Sequence, residues 1–370
     1  MMRYRPTVVV VDLDAIRHNV RTLKPDTAEV MAVVKANGYG HGSVQVARTA
    51  LAAGARWLGV ALVEEGIELR DAGITGRILA LSEFPSGSEK EALSAGLIPT
   101  LYTEEGLHRL TEAAASLGKP VGVHVKVDTG MHRVGLDPDR VVPFVARLYD
   151  SGLEFEGLWT HFAKSEETND SFTTRQLDRF DAVATRLRDA RMVPRYRHAA
   201  NSAAIMSRPE SHMDLVRLGI AMYGLSPGPE LLAETEWKLE CAMSWRSSVA
   251  MVKRVDAGEA ISYGHRYALQ RPSTIATVPV GYADGYSRLL SGKAEVLIRG
   301  RRYPVAGTVT MDQLMLDCGD DRIEEGDEVV LIGSQGDERI TADVVAGWMG
   351  TIGYEVVCGV SSRVPREYVE

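Results

Sequence analysis

The 370-residue sequence predicts an α/β protein, with an N-terminal (β/α)8 barrel of the TIM type followed by a C-terminal, mainly-β domain. Three observations predict it. Apolar strand-like runs alternate with amphipathic helical stretches from the start to about residue 225, which implies parallel strands joined by crossover helices. Eight such runs are present, the number a closed barrel needs. After Pro227-Gly228-Pro229 the pattern changes, and strand-like stretches follow one another with turns and few helices. The chain is too long for one small domain, and it is expected to divide into residues 1–235 and 236–370.

In chain order, the barrel strands are expected at 30–34, 57–61, 78–81, 98–101, 121–127, 155–160, 195–198 and 215–218, runs rich in Val, Ile and Leu as buried parallel strands are. Helical stretches such as 43–53 and 104–117 are closed by Gly54 and Gly118, where glycine supplies the left-handed cap conformation. In the second domain, strands are expected within 243–255, 273–279, 294–298, 313–316 and 328–332.

Composition narrows the function classes. The chain is 45% hydrophobic and 25% charged, as soluble globular proteins are. A net charge of −8 gives no general attraction to phosphate backbones or anionic membranes, so neither nucleic acid nor a membrane surface is an expected partner. The apolar run at 8–11 is ended by Asp12 and Asp14, far short of a signal or membrane segment, and a cytoplasmic location is expected. Cys241, Cys318 and Cys358 are odd in number and widely spaced, which offers neither a disulfide framework nor a metal site. They read as buried small hydrophobes.

Chemistry concentrates where the barrel strands end. Lys35 leaves the run Ala32-Val33-Val34 and enters Ala36-Asn37-Gly38-Tyr39-Gly40-His41-Gly42, a loop whose glycines let backbone pass close to a ligand. A lysine withdrawn from bulk water has a lowered pKa and becomes a nucleophile toward carbonyl compounds. The other strand exits carry Glu83, Lys126 with Asp128, His161, the loop His198-Ala199-Ala200-Asn201-Ser202, and Arg217-Leu218-Gly219-Ile220. Each has a structural explanation of its own: Asp128 as a cap on Thr129-Gly130, His161 as a satisfied core histidine, Arg217 as the partner of a surface carboxylate. Their coincidence on one rim points to a site. Ser202 and the amides of Gly219 and Ile220 occupy the place after strands seven and eight where such barrels bind phosphate, so the expected ligand carries one. The second domain contributes the loops 261–265, 280–286 and 307–313, with Tyr263 and Tyr282 in turns.

Over essentially its whole length the chain resembles bacterial alanine racemase. The matching blocks are 33–42, Lys126-Val127-Asp128-Thr129-Gly130-Met131-His132-Arg133-Val134-Gly135, Thr160-His161-Phe162-Ala163, His198 to Ser202, Arg217 to Gly224, Ser262-Tyr263-Gly264, Gly281-Tyr282-Ala283-Asp284-Gly285-Tyr286, Met311-Asp312-Gln313 and Gly350-Thr351-Ile352-Gly353-Tyr354-Glu355. A single glycine-rich motif would be weak; blocks in this number and order are specific.

The resemblance implies interconversion of L- and D-alanine on pyridoxal 5′-phosphate, supplying D-alanine for peptidoglycan. Lys35 looks like the lysine that binds the cofactor as an imine and serves as one base, with Tyr263 as the other; inverting a carbon needs proton exchange on both faces. His161 and Arg217 match a relay to that tyrosine, and Arg217 also the residue facing the pyridine nitrogen. An arginine there leaves this nitrogen unprotonated and the ring a weaker electron sink. Tyr39, Ser202, the Gly219 and Ile220 amides and Tyr354 match phosphate contacts, and Asn201 falls within the same cofactor-binding block. Arg133 resembles the residue at the substrate carboxylate, and Lys126 the lysine often carbamylated to hold it. Met311 and Asp312 match a loop that enters the site from the partner subunit of a homodimer, with Tyr282 in support.

One departure is Thr310, where many members carry cysteine, so a serine or broad-specificity racemase is the alternative. Decarboxylases of the same two-domain plan place an acidic residue where Arg217 stands. Single-barrel proteins that bind pyridoxal phosphate lack the β domain altogether.

Overall fold

β1 (Val8–Asp12) is the first strand, and of its four consecutive valines Val8, Val9 and Val11 are buried while Val10 is half-buried. The computed structural model describes residues 4–228, 231 and 237–370. They form two units, one of Ala15–Glu240 and one joining the residues up to Asp14 with Cys241–Glu370.

The first unit is a parallel barrel. Its strands are β2 (Glu29–Val33), β3 (Trp57–Val60), β4 (Arg77–Ala80), the short pair β5 (Leu97–Ile98) and β6 (Thr100–Leu101), β7 (Gly122–Lys126), β8 (Glu154–Trp159), β9 (Tyr196–His198) and β10 (Leu215–Leu218). Every expected barrel run is a strand. They pair in the orders β10-β2-β3-β4-β5 and β6-β7-β8-β9. Pro99 separates β5 from β6 because it has no N–H for the ladder, although its carbonyl still accepts from the His124 amide at 2.9 Å. Two backbone bonds, Asp214 N to Arg197 O at 3.1 Å and Arg217 N to Ala200 O at 3.0 Å, join the end of β9 to β10. Met31, Trp57, Leu79, Tyr196 and Leu215 pack together inside. Burial of each such side chain contributes about 1.5–3 kcal/mol.

Helices come after the strands, and their ends are written locally. Glu104–Leu117 starts at Thr103, whose Oγ1 accepts from the Gly106 amide at 2.9 Å, and ends at Gly118 in the left-handed conformation, φ 62°. Ser43–Ala52 stops at Ala53, and Gly54 comes next at φ 114°.

The second unit is mainly β. Its strands are β11 (Met243–Ser248), β12 (Met251–Val255), β13 (Ala260–Ile261), β14 (Tyr267–Ala268), β15 (Ser273–Val278), β16 (Glu295–Ile298), β17 (Arg301–Pro304), β18 (Leu314–Asp317), β19 (Glu328–Gln335), β20 (Glu338–Ile340) and β21 (Arg366–Val369). The main sheet runs β17-β16-β19-β11-β1-β21 with β20 on β19, and β12-β15-β18 form another. β1 lies centrally, antiparallel to β11 with Val9 opposite Trp245 and parallel to β21 with Val9 opposite Arg366.

The expected division assigned residues 1–235 to the barrel, whereas β1 pairs only in the C-terminal sheet. A strand apolar on both faces states that it is buried and not in which sheet. The expected boundary between residues 235 and 236 lies outside the described residues. Of the three cysteines only Cys318 is buried; Cys241 and Cys358 are exposed, at the start of the C-terminal unit and at the end of the helix Gly353–Cys358. Among the described residues no helix is long and apolar enough to cross a membrane.

Candidate active site

Lys35 sits just past the end of β2, and from there the chain enters a left-handed turn instead of a loose loop. Ala36, Asn37 and Gly38 take φ of 52°, 53° and 60°, and Tyr39 and Gly40 continue at 50° and 81°. Glycine adopts this readily, but each of the other residues costs about 1–2 kcal/mol. The surroundings hold the turn in place. Glu65 accepts from the Ala36 amide at 2.6 Å, Asn37 Oδ1 accepts from the Ser43 amide at 3.0 Å, and His41 Nδ1 donates to Tyr39 O at 2.8 Å. The turn brings the Tyr39 ring to 5.0 Å from Tyr223, whose hydroxyl donates to Val33 O at 3.0 Å.

That placement completes a cradle at the end of β10. A Cβ on Gly219 would lie 3.0 Å from Tyr39 Oη and 3.6 Å from Ser202 Oγ, so only glycine leaves the space between the two hydroxyls open. Ser202 Oγ accepts from the Gly219 amide at 2.9 Å and from the Ala221 amide at 3.4 Å. The Ile220 amide, in a buried residue, has no acceptor among the described residues. Hydroxyls and amides around a glycine are a phosphate's donor set. Asn201 is tied up beside it: its Oδ1 caps Ser202–Ser207 through the Ala204 amide at 3.1 Å and accepts from Ser165 Oγ at 2.8 Å.

Arg217 is the buried hub. Its Nη1 donates to His198 Nδ1 at 3.0 Å and His198 O at 3.1 Å, and its Nη2 donates to Thr160 O and Ala199 O, both at 2.8 Å, with His161 Nδ1 at 3.2 Å. No carboxylate pairs with it among the described residues. Its Nε–H is left without an acceptor there, a donor suited to an unprotonated ring nitrogen. Burial pushes Arg217 down to about 9, which still leaves a cation at neutral pH.

Around it stand more cations. Lys126 is buried with Nζ 4.4 Å over the Trp159 ring, which also has Arg217 at 4.9 Å and His198 stacked on it at 5.5 Å. Burial pushes Lys126 down to about 7, assisted by Arg133 and Arg217 and opposed by Asp128. Burial, then Arg217, Lys126, Arg133 and Lys35, holds His161 well below its usual value, so it is neutral. Lys35, Lys126, Arg133, His161 and Arg217 are therefore close enough to act on one another. Asp128 keeps its structural role: Oδ1 accepts from the Gly130 and His132 amides at 2.9 and 3.1 Å. Glu83 likewise anchors Tyr102 and Thr103.

In the C-terminal unit the three expected loops are knotted together. Tyr282 N donates to Thr310 O and Ala283 N to Met311 O, both at 3.0 Å, while Ser262 Oγ donates to Thr308 O at 2.7 Å and Thr308 Oγ1 to Tyr263 O at 3.0 Å. A Cβ on Gly281 would lie 2.3 Å from both Thr310 O and Met311 O. Arg363 Nη2 pairs with Asp312 at 2.8 Å and its Nε lies 3.6 Å from the buried Asp284, which also holds Arg5 at 2.7 Å. The knot leaves Tyr263 72%, Met311 52% and Tyr282 42% exposed. Tyr354 lies on the helix Gly353–Cys358 of the same unit.

Sequence reasoning missed Trp159 and His124. Both are on inward faces of buried strands, and a polar residue two positions before Lys126 was the available signal for His124.

Two family models match the chain: the alanine racemase N-terminal domain over residues 11–227 and the alanine racemase C-terminal domain over residues 242–368. An alanine racemase of Symbiobacterium thermophilum is 50% identical, with 98% of this chain and 97% of that protein covered. One of Desulfovibrio desulfuricans is 44% identical over 99% of each. Among solved structures, the alanine racemase of Streptomyces lavendulae superposes with TM-score 0.95 at 40% identity, covering 100% of this chain and 98% of that one. That of Bacillus anthracis with bound L-Ala-P gives 0.94 at 39% identity, covering 100% and 96%.

Proposed function

The chain belongs to the alanine racemase family, and from that premise we propose that its pyridoxal 5′-phosphate site is the rim around Lys35 and Arg217, working on alanine with Lys35 and Tyr263 as the two bases. The observation that carries this reading is Arg217, a buried guanidinium whose terminal nitrogens are committed to carbonyls and imidazoles while Nε–H is not. The donor set fits the cofactor: hydroxyls and amides for phosphate at Gly219, a lone N–H for the ring nitrogen, and a lysine at the end of β2.

Bound pyridoxal phosphate supplies the electron sink that loosens the Cα–H bond of an amino acid. The residues of the chain do the rest. Tyr39, Ser202 and the Ile220 amide hold the phosphate, and the Gly219 amide, bonded to Ser202 Oγ at 2.9 Å, orients that hydroxyl. Arg217 donates to the ring nitrogen and, never yielding its proton, keeps the sink weak, which favours returning a proton to Cα over side reactions. Lys35 and Tyr263 exchange that proton on opposite faces. His161, neutral and bonded to Arg217, links the hub to the tyrosine.

Arg133 takes the substrate carboxylate. Lys126, with an amine held near neutrality, adds carbon dioxide; an N–C bond forms and a proton leaves. The resulting anion attracts Arg133 where the ammonium repelled it.

Tyr263 is 72% exposed, so the help a phenol needs to act as a base must come from a surface that covers it. The exposed group of Tyr263, Tyr282 and Met311 fits a second copy of the chain, in which Met311 and Asp312 border the partner's rim and Tyr263 is desolvated there. The protein then works as a cytoplasmic homodimer that feeds D-alanine to peptidoglycan synthesis.

The experiment is to follow optical rotation of a panel of L-amino acids with purified protein and pyridoxal phosphate. L-Alanine should lose rotation fastest. A faster loss from L-serine would overturn the substrate, and no loss from any amino acid would overturn the reading.

A further inference from the structure

Below Arg217 the barrel interior holds a line of polar groups that the reaction above leaves unused. His198 Nε2, at the end of β9, lies 2.9 Å from His124 Nδ1 in the middle of β7. His124 Nε2 lies 3.9 Å from Glu156 Oε2 near the start of β8, and Glu156 Oε1 is ion-paired with Arg77, the first residue of β4. The line therefore runs from the carboxyl rim of the barrel to its opposite mouth. Both histidines are wholly buried, and His124 Nε2 has no hydrogen-bond partner. The space is built for them. A Cβ on Gly157 would fall 2.3 Å from His124 Nδ1, and one on Gly122 would fall 2.7 Å from Glu156 Oε2.

Donor and acceptor chemistry fixes the direction of this line. Arginine has donors only, so His198 Nδ1, at 3.0 Å from Arg217 Nη1, must be the acceptor and its single proton must sit on Nε2. That proton is donated to His124 Nδ1, which places the proton of His124 on Nε2, toward the Glu156 carboxylate. An imidazolium at either place would set two donors against each other. Burial and the neighbouring arginines also hold both rings neutral, His124 at about 3.

We propose that His198, His124 and Glu156 are positioning residues for Arg217: a one-way line in which His198 donates to His124 and the His124 N–H faces the Glu156 carboxylate across 3.9 Å at the far mouth of the barrel, so that the line aims the guanidinium. Arg217 has no carboxylate of its own among the described residues, and Glu156 is already ion-paired with Arg77, so the line orients the guanidinium and does not neutralise it. The inference rests on the reading that Arg217 faces the cofactor's ring nitrogen.

The test is ¹⁵N NMR of the histidine-labelled full chain without cofactor, assigned with His124→Gln and His198→Gln. Both rings should show a protonated Nε2 and a bare Nδ1. In Glu156→Gln the carboxamide presents its own N–H groups to His124, and the His198 nitrogens should shift even though Glu156 makes no bond to them. Glu29→Gln, at the same mouth on Trp57 Nε1, should leave them unchanged.

With pyridoxal phosphate bound, Glu156→Gln should lower kcat for L-alanine on the order of tenfold, as loss of an outer partner commonly does, with KM unchanged and the cofactor absorbance displaced. Should Glu156→Gln unfold, Arg77→Gln perturbs the same end and the wild-type spectrum stands alone as a test. An Nδ1–H tautomer in either ring, or His198 signals indifferent to Glu156→Gln, overturns the proposal. If instead the tautomers behave as stated while Arg217→Lys changes neither rate nor cofactor spectrum, the placement of Arg217 at the ring nitrogen is what fails.

Discussion

At the scale of single residues, the site is governed by cations with too few anions. Lys126 is the sharpest case. Its pKa is about 7 in the fold against 10.5 when exposed, so between these values the unfolded chain binds a proton that the folded chain refuses. Stability should therefore rise with pH from about 7 to 10.5, and the burden at lower pH is on the order of 5 kcal/mol. Lys126→Met should flatten that rise in urea titrations run in carbon-dioxide-free buffer. With ¹³C-bicarbonate, wild-type protein should show a carbamate carbon signal that Lys126→Met lacks. Gly157 is the second case. Gly157→Ala drives a methyl into the His124 ring and should cost about 1–3 kcal/mol, read as a lowered melting temperature.

At the scale of elements, local strain and local knots carry the function. The left-handed turn after β2 is one. Ala36→Gly removes a Cβ from a residue at φ 52° and should stabilise the protein by about 1 kcal/mol in thermal denaturation. It should also lower kcat, because a more permissive turn holds Lys35 less firmly. The sequence showed the glycines here but not the turn, since Ala36, Asn37 and Tyr39 have no intrinsic reason to be left-handed. Contacts from Glu65 and Ser43 hold them there. In the C-terminal unit, Gly281→Ala would push apart the loops carrying Tyr282 and Met311. Racemisation should fall well over tenfold, with little loss of far-ultraviolet circular dichroism.

At the scale of the whole molecule, β1 ties the beginning of the chain into the C-terminal sheet between β11 and β21. Deleting residues 1–12 should leave two strands without their central partner, and the C-terminal unit should lose cooperative unfolding in calorimetry. The proposed dimer gives the other prediction. Lys35→Ala and Tyr263→Ala chains, each inactive, are unfolded, mixed and refolded. About half the dimers should be mixed and half of their sites intact, returning about a quarter of wild-type activity. Mixed dimers with no activity would place both residues in the same chain.

The eight strands, their helices and the residues at the strand exits were legible in the sequence. Each depends on neighbours a few positions away: a period of two or 3.6, a glycine after a helix, a polar residue where an apolar run stops. The motif blocks carried the rest of the proposed chemistry. Only the tertiary structure decided which sheet receives β1, that His124, His198 and Glu156 form one line beneath Arg217, and that three separate loops meet around Gly281. The physical reason is that burial and donor–acceptor pairing are settled by atoms distant in sequence. His124 and His198 are 74 residues apart, and neither side chain acquires a direction until the barrel has closed around them.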